Sequence, residues 1–179
     1  VTPVSTVQVA PGEATVRLVS VSVPRRTPVG TQSLTLRLRD DERRILQETP
    51  VAVRVRAIRA LRLQVLEAPS TVPAGEPFAV RAALTNRGNV PLDVRLDAES
   101  NRLFVTRLEP DRLRLKPWET RVVVARVETE ATPSPFRHRL TLRARSAGGE
   151  PTAEVLEVTR VIPVAGRDGG NGEVYPVSV

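Results

Sequence analysis

The run Val51–Arg56 reads Val-Ala-Val-Arg-Val-Arg, and its period of two constrains the chain more than any other feature. Successive side chains of a strand point to opposite faces, so Val51, Val53 and Val55 share one face while Arg54 and Arg56 share the other. The same alternation returns at Leu34, Leu36 and Leu38 against Arg37 and Arg39, and at Leu140, Leu142 and Ala144 against Arg143 and Arg145. No segment carries a sustained i, i+3, i+4, i+7 apolar stripe. The best helical candidate, Asp40 to Glu48 (DDERRILQE), is short and sits where a hairpin loop is expected. The sequence therefore predicts an all-β protein of one-sided antiparallel strands, with Leu34, Leu36, Leu38, Leu140 and Leu142 in the core.

The alternating strands belong to an internal repeat. Residues from Val9 and from Leu115 align without a gap at an offset of 106, Pro11 falling on Pro117. Identical pairs include Glu13/Glu119, Val16/Val122, Val21/Val127, Leu34/Leu140, Thr35/Thr141, Leu36/Leu142, Arg37/Arg143 and Arg39/Arg145. An alternating pattern alone would match some Val and Leu, but not also a Pro-x-Glu turn and a Leu-Thr-Leu-Arg strand. Repeats of about 100 residues, with short strands every 8–12 residues, point to tandem β-sandwiches. The second copy has about fifty residues between Leu61 and its Pro-x-Glu turn, and the first has only ten before its own. The expected organisation is thus 1–59 as the C-terminal part of a first immunoglobulin-like sandwich, 60–165 as a complete second one, and 166–179 as a Gly-rich linker or hairpin into a further module. The first copy, lacking its opening strands, is expected to have strands near Val7 to Val9 and Val16 to Val23 as well as at Leu34 to Leu38 and Val51 to Val55. Its exposed sheet face calls for a protein partner, either the rest of the same polypeptide or another subunit. The junction near Arg59 to Leu61 contains no Gly or Pro and reads as stiff.

Between the repeats, Thr71 to Leu96 holds Pro73-Ala74-Gly75-Glu76, then Thr85, Asn86, Gly88 and Asn89, followed by Pro91. This stretch resembles the first half of bacterial immunoglobulin-like modules of the cell-adhesion-related CARDB type, and is similar to the domain associated with the NPCBM region of alpha-galactosidases. The second half of the same pattern, a Pro-Gly-Glu turn, a Val-rich strand, Pro-x-Gly-Thr and Leu-Thr-Leu, lies in Val9 to Leu38. The second copy departs from it, with Trp118 in place of the turn glycine and Phe136 in place of Gly30. The resemblance implies a bacterial extracytoplasmic module (periplasm, cell surface or secreted) and leaves its function open, since such folds serve many architectures.

Composition limits the chemistry. The 179 residues include no Cys, no Met and one His, and 40% are hydrophobic but only 3% aromatic, so Val and Leu must build the core. Without Cys there is no disulfide, zinc ribbon or thiol catalysis. No apolar run is long enough for a transmembrane helix. A catalytic triad would have to use His138 with Ser134 or Ser146, yet its repeat partner is Gln32, an ordinary strand residue. One His and no Cys do not make a zinc site. Asp168, Asn171 and Glu173 in the Gly-rich tail lack the spacing of a calcium loop and read as a turn. Asp40, Asp41 and Glu42 read as a solvated loop, and Asn86 and Asn89 as turn residues. No catalytic, metal or cofactor-binding residue is assigned, and no cofactor is expected. The net charge of +7 rests on arginine, spread over several strands among acidic residues, so no specific nucleic-acid binding is expected. Trp118 and Phe136 are the candidate partner contacts, because aromatics at sandwich ends anchor proteins or stack on sugars. The expected function is a non-enzymatic spacer or protein-interaction module of a larger envelope or secreted protein. A carbohydrate-binding accessory of a glycosidase and a periplasmic domain of an outer-membrane assembly protein are the alternatives.

Overall fold

Residues 30–55 form an isolated antiparallel hairpin, β1 (Gly30–Arg39) and β2 (Ile45–Val55). The computed structural model describes residues 6–102, 104–132 and 134–163. The nine-residue stretch Asp40 to Glu48, the best helical candidate, instead turns at Asp40 to Arg44 and enters β2. Asp40 accepts hydrogen bonds from the Arg44 backbone N–H (2.7 Å) and guanidinium Nε (2.9 Å), which closes the turn.

The other strands are β3 (Leu61–Glu67), β4 (Thr71–Pro73), β5 (Phe78–Asn86), β6 (Leu92–Ser100), β7 (Val105–Glu109), β8 (Arg112–Leu115), β9 (Thr120–Glu128), β10 (Phe136–Ser146) and β11 (Thr152–Ile162). They build a five-stranded sheet in the order β4-β11-β10-β6-β8 and a four-stranded sheet in the order β3-β5-β9-β7. All pairings are antiparallel except the short β4, which runs parallel to β11. The sets β3-β5-β9 and β11-β10-β6 reproduce the two facing strand triplets of an immunoglobulin sandwich, and this is the fold of residues 61–162. Its core is aliphatic, as the scarcity of aromatics requires. Val80, Ala82 and Leu84 of β5 and Val123, Ala125 and Val127 of β9 are fully shielded, and Leu140, Leu142 and Ala144 of β10 face them from the other sheet. Arg143, on the outer face of β10, bridges Glu154 of β11 and Glu99 of β6, each at 2.8 Å.

The first hairpin repeats the second residue for residue. Gly30 pairs with Val55 as Phe136 pairs with Val161, and the 106-residue offset holds through nine consecutive pairs to Leu38/Gln47 and Ala144/Ala153. The cross-strand ion pair is copied too, Arg37 meeting Glu48 at 2.7 Å where Arg143 meets Glu154. The preceding turn is copied as well. Glu13 N–H donates to Ala10 O at 3.0 Å, and Glu119 N–H to Lys116 O at 3.1 Å. The residue before each glutamate is left-handed, Gly12 at φ 84° and Trp118 at φ 64°. A bulky side chain there costs about 1–2 kcal/mol of backbone strain, which the surroundings of Trp118 must offset.

Two expectations about the N-terminal region do not hold. Residues 6–29 contain no strand, neither near Val7 to Val9 nor at Val16 to Val23. Leu34 is only half-buried, and Leu36 and Leu38 remain 41% and 53% exposed. The pairings of the sandwich supply the reason. One repeat later, β8 and β10 both hydrogen-bond to β6, and β9 to β5 and β7. Only the β10–β11 pairing has both of its strands within the first copy, and only that pairing forms there. With no second layer, none of residues 6–60 is buried.

Candidate functional site

The two ends of the sandwich concentrate its polar and aromatic side chains. At one end the β5–β6 turn, Asn86 to Asn89, holds the segment that leaves the first hairpin. Asn86 is fully buried. Its amide nitrogen donates toward the carbonyls of Val90 (2.8 Å), Lys116 (3.1 Å) and Leu115 (3.3 Å), and its Oδ1 accepts from Gly88 N–H at 2.9 Å. Asn89 reaches outward. Its Oδ1 accepts from Ile58 N–H at 2.6 Å, and its Nδ2 donates to Arg56 O at 3.0 Å. Backbone bonds run from Asn89 N–H to Ile58 O (3.0 Å) and from Arg87 N–H to Ala60 O (2.8 Å). Gly88 lies so close that a Cβ there would stand 2.1 Å from Ile58 O. The junction read as stiff from its lack of Gly and Pro is therefore fastened by a neighbouring turn. An open hollow of about 610 Å³ beside it is lined by Val29, Gly30 and Arg54 to Ala57.

Trp118 sits at this end, since its turn closes against Asn86 through Lys116 O and through an Asn86 N–H to Glu119 O bond of 2.9 Å. The residue is half-buried. Its indole Nε1 is shielded and meets no acceptor among the described residues. Glu119 accepts from Lys116 N–H at 2.7 Å, which holds its carboxyl below the usual carboxylate range, with Arg121 assisting.

Phe136 lies at the opposite end, so the two candidate contacts do not form one site. Phe136 packs against Phe104 (ring centroids 5.8 Å), with the Arg102 guanidinium 4.6 Å above its ring. These residues, with Ser100, Asn101 and Thr132, line an open hollow of about 380 Å³. Behind it lies His138, fully buried, stacked on Phe104 at 5.4 Å and edge-on to Phe78 at 5.5 Å. The partner of its Nε2 is Ser100 Oγ at 2.7 Å, neither Ser134 nor Ser146, and its Nδ1 meets no acceptor among the described residues. A triad needs a carboxylate on that nitrogen to orient the ring. Ser146 lies at the far end of β10, bonded to Glu150 O. Ser100 escaped the sequence reading because it is 38 residues away and is brought close only by the β6–β10 register.

Burial lowers the pKa of His138, because a charged ring would bury a second N–H with no acceptor. With the folded-state pKa below the unfolded one, the unfolded chain binds more protons as pH falls. Stability is expected to be full above the unfolded value of about 6.5 and to decline as pH drops through it towards the folded value. Urea denaturation at pH 7.5 and 5 reads this slope, and His138→Gln should remove it.

No group of three His, Cys, Asp or Glu side chains suited to a metal occurs among the described residues. Asp168, Asn171 and Glu173 lie outside them. The described residues contain no helix long and apolar enough to cross a membrane.

No protein-family model matches the chain, and no curated protein matches it in sequence. Among solved structures it is similar to a fragment of Escherichia coli alpha-2-macroglobulin, at 16% identity and a TM-score of 0.44, over 60% of this chain and 17% of that one. It is similar also to the CARDB domain of a Pyrococcus furiosus protein in complex with di-metal ions, at 11% identity and a TM-score of 0.41, over 59% of this chain and 89% of that one. The Salmonella enterica SafA pilin in complex with its SafB chaperone gives 14% identity and a TM-score of 0.40, over 62% and 58%. Likeness at this level concerns the folding pattern and carries no activity across.

Proposed function

We propose that the chain is a non-enzymatic structural module, a spacer or protein-interaction segment of a larger extracytoplasmic protein of bacterial type. In this reading residues 1–59 and 60–165 belong to successive immunoglobulin-like units, and 166–179 lead onward. The observation that carries it is the grip of the Asn86 to Asn89 turn on Arg56 to Ala60. A stiff connection between consecutive modules is what a spacer requires and what an independent binding domain on a tether lacks. The resemblance of Pro73 to Pro91 to bacterial immunoglobulin-like modules supports the extracytoplasmic setting.

Backbone order parameters test the spacer reading. The amides of Ile58 to Leu61 are expected to be as rigid as the sandwich, with S² about 0.85, and to fall towards about 0.6 in Gly88→Ala. Values near the flexible limit in the unaltered chain would reject it. The arginine surface supplies a second expectation. Arg81, Arg107, Arg126 and Arg143 each meet a carboxylate on the outer strand faces, and the one row of adjacent arginines the register makes across β10, β6 and β8, Arg145, Arg95 and Arg112, includes Arg95, which meets Asp97 at 3.4 Å. DNA binding is expected to be non-specific, at roughly 10⁻⁴–10⁻⁶ M in physiological salt. A nanomolar complex that survives added salt would overturn this.

A further inference from the structure

The least explained surface of the molecule is the hairpin β1–β2 with the apolar segment before it. Val19, Val21, Leu36 and Leu38 are 48%, 49%, 41% and 53% exposed, whereas their counterparts one repeat later, Ala125, Val127, Leu142 and Ala144, are all buried. A two-stranded hairpin is marginal in water by itself, and apolar side chains left bare at positions that the repeat buries mark a face to be covered. The internal repeat says what covers it. One repeat later, the free edge of β1 corresponds to the edge of β10 that pairs with β6, Leu140 opposite Ser100 and Leu142 opposite Ala98. Val16 corresponds to Val122 of β9, which is paired with Ala83 of β5. Charge adds a second, independent mark. Arg143 holds two carboxylates, Glu154 on β11 and Glu99 on β6. Arg37 holds the equivalent of the first, Glu48, and no other among the described residues.

We propose that this surface docks a half-sandwich of the same kind as residues 61–115, carried on the same polypeptide ahead of the hairpin. Its β6-like strand adds antiparallel to the open edge of β1 and presents a carboxylate to Arg37. Its β5-like strand pairs with the segment around Val16 to Val23 and draws that segment into a sheet. The proposal goes beyond the spacer reading and can fail separately from it, because a fastened junction is compatible with a bare hairpin.

The test compares amide hydrogen exchange in two preparations: the 179-residue chain, and the protein produced from its natural first residue. The β1 amides that do not face β2, and those of Val16 to Val23, are expected to exchange quickly in the 179-residue chain. In the longer protein they are expected to slow by roughly 100-fold or more. Arg37→Gln removes the Glu48 pair in both preparations, and should reverse part of the slowing at β1 amides that do not face β2 only in the longer protein. Three results would overturn the proposal. One is equally fast exchange in both preparations. Another is protection in the 179-residue chain while it is monomeric. The third is protection that appears only as that chain dimerises, which would make the occupant a second copy.

Discussion

Leu140→Ala is expected to lower the stability of the sandwich by about 2–5 kcal/mol, the range for a large-to-small change in a packed core. The homologous change one repeat earlier, Leu34→Ala, is expected to alter the stability of the 179-residue chain by less than about 1 kcal/mol. The two leucines have the same sequence neighbours, Thr-Leu-Arg following each, and corresponding partners across the hairpin. They differ in what lies above them. Leu140 is 1% exposed beneath β5 and β9, whereas Leu34 has no opposing sheet. Truncating Leu140 removes its transfer free energy and leaves a cavity that the stiff β-layers close poorly. Truncating Leu34 removes a side chain already in contact with water. Urea titration of each variant reads the difference, and equal losses would mean that Leu34 already sits in a core of the 179-residue chain.

Period-two alternation is a property of a strand by itself, so the faces of β1, β2 and β10 were legible, and so was the aliphatic core of the second copy. Burial is a property of what packs on the strand. Leu34, Leu36 and Leu38 carry the same pattern as Leu140 and Leu142 and yet are not buried. Val16 to Val23, though rich in valine, likewise forms no strand, whereas its counterpart β9 is a strand paired on both sides, with β5 and β7. The candidate site was legible residue by residue but not as an arrangement. Trp118 and Phe136 stand out as replacements of glycine within the repeat, but only the strand order shows that they occupy opposite ends. The Ser100–His138 contact and the grip of Asn89 on Ile58 join residues 38 and 31 apart, and no local pattern encodes either. Composition predicts a stiff junction, and the contacts that hold Arg56 to Ala60 come from a turn whose asparagines read, in sequence, as ordinary loop residues.

The largest polar effect should come from Asn86. Its side chain is wholly buried and answers three carbonyls and one backbone N–H from the β5–β6 turn and the β8–β9 connection. An amide has only two N–H donors, so the three carbonyls share them, with Val90 O the nearest. Asn86→Ala leaves Gly88 N–H without that acceptor and the carbonyls without that donor, and each buried group so stranded costs about 1–3 kcal/mol. A total loss of about 2–4 kcal/mol is expected, together with a looser hold on Arg56 to Ala60. Asn86→Asp is nearly isosteric and keeps the acceptor for Gly88, yet it should do more harm at pH 7. It turns a carboxylate oxygen towards three carbonyl oxygens in a buried place. Burial and that repulsion both raise the folded-state pKa of such an aspartate above its unfolded value of about 3.9. The folded form then binds more protons than the unfolded one, and stability falls as pH rises above that unfolded value. The variant should therefore recover as pH is lowered towards about 4, where a protonated carboxyl again offers a donor to Val90 O. This slope is opposite in sign to the one His138 gives the unaltered protein. Denaturation of the Asp and Ala variants at pH 7 and pH 4.5, each in a His138→Gln background, separates the two titrations. An Asp variant as stable as the unaltered protein at pH 7 would show that the amide donor of Asn86 is dispensable.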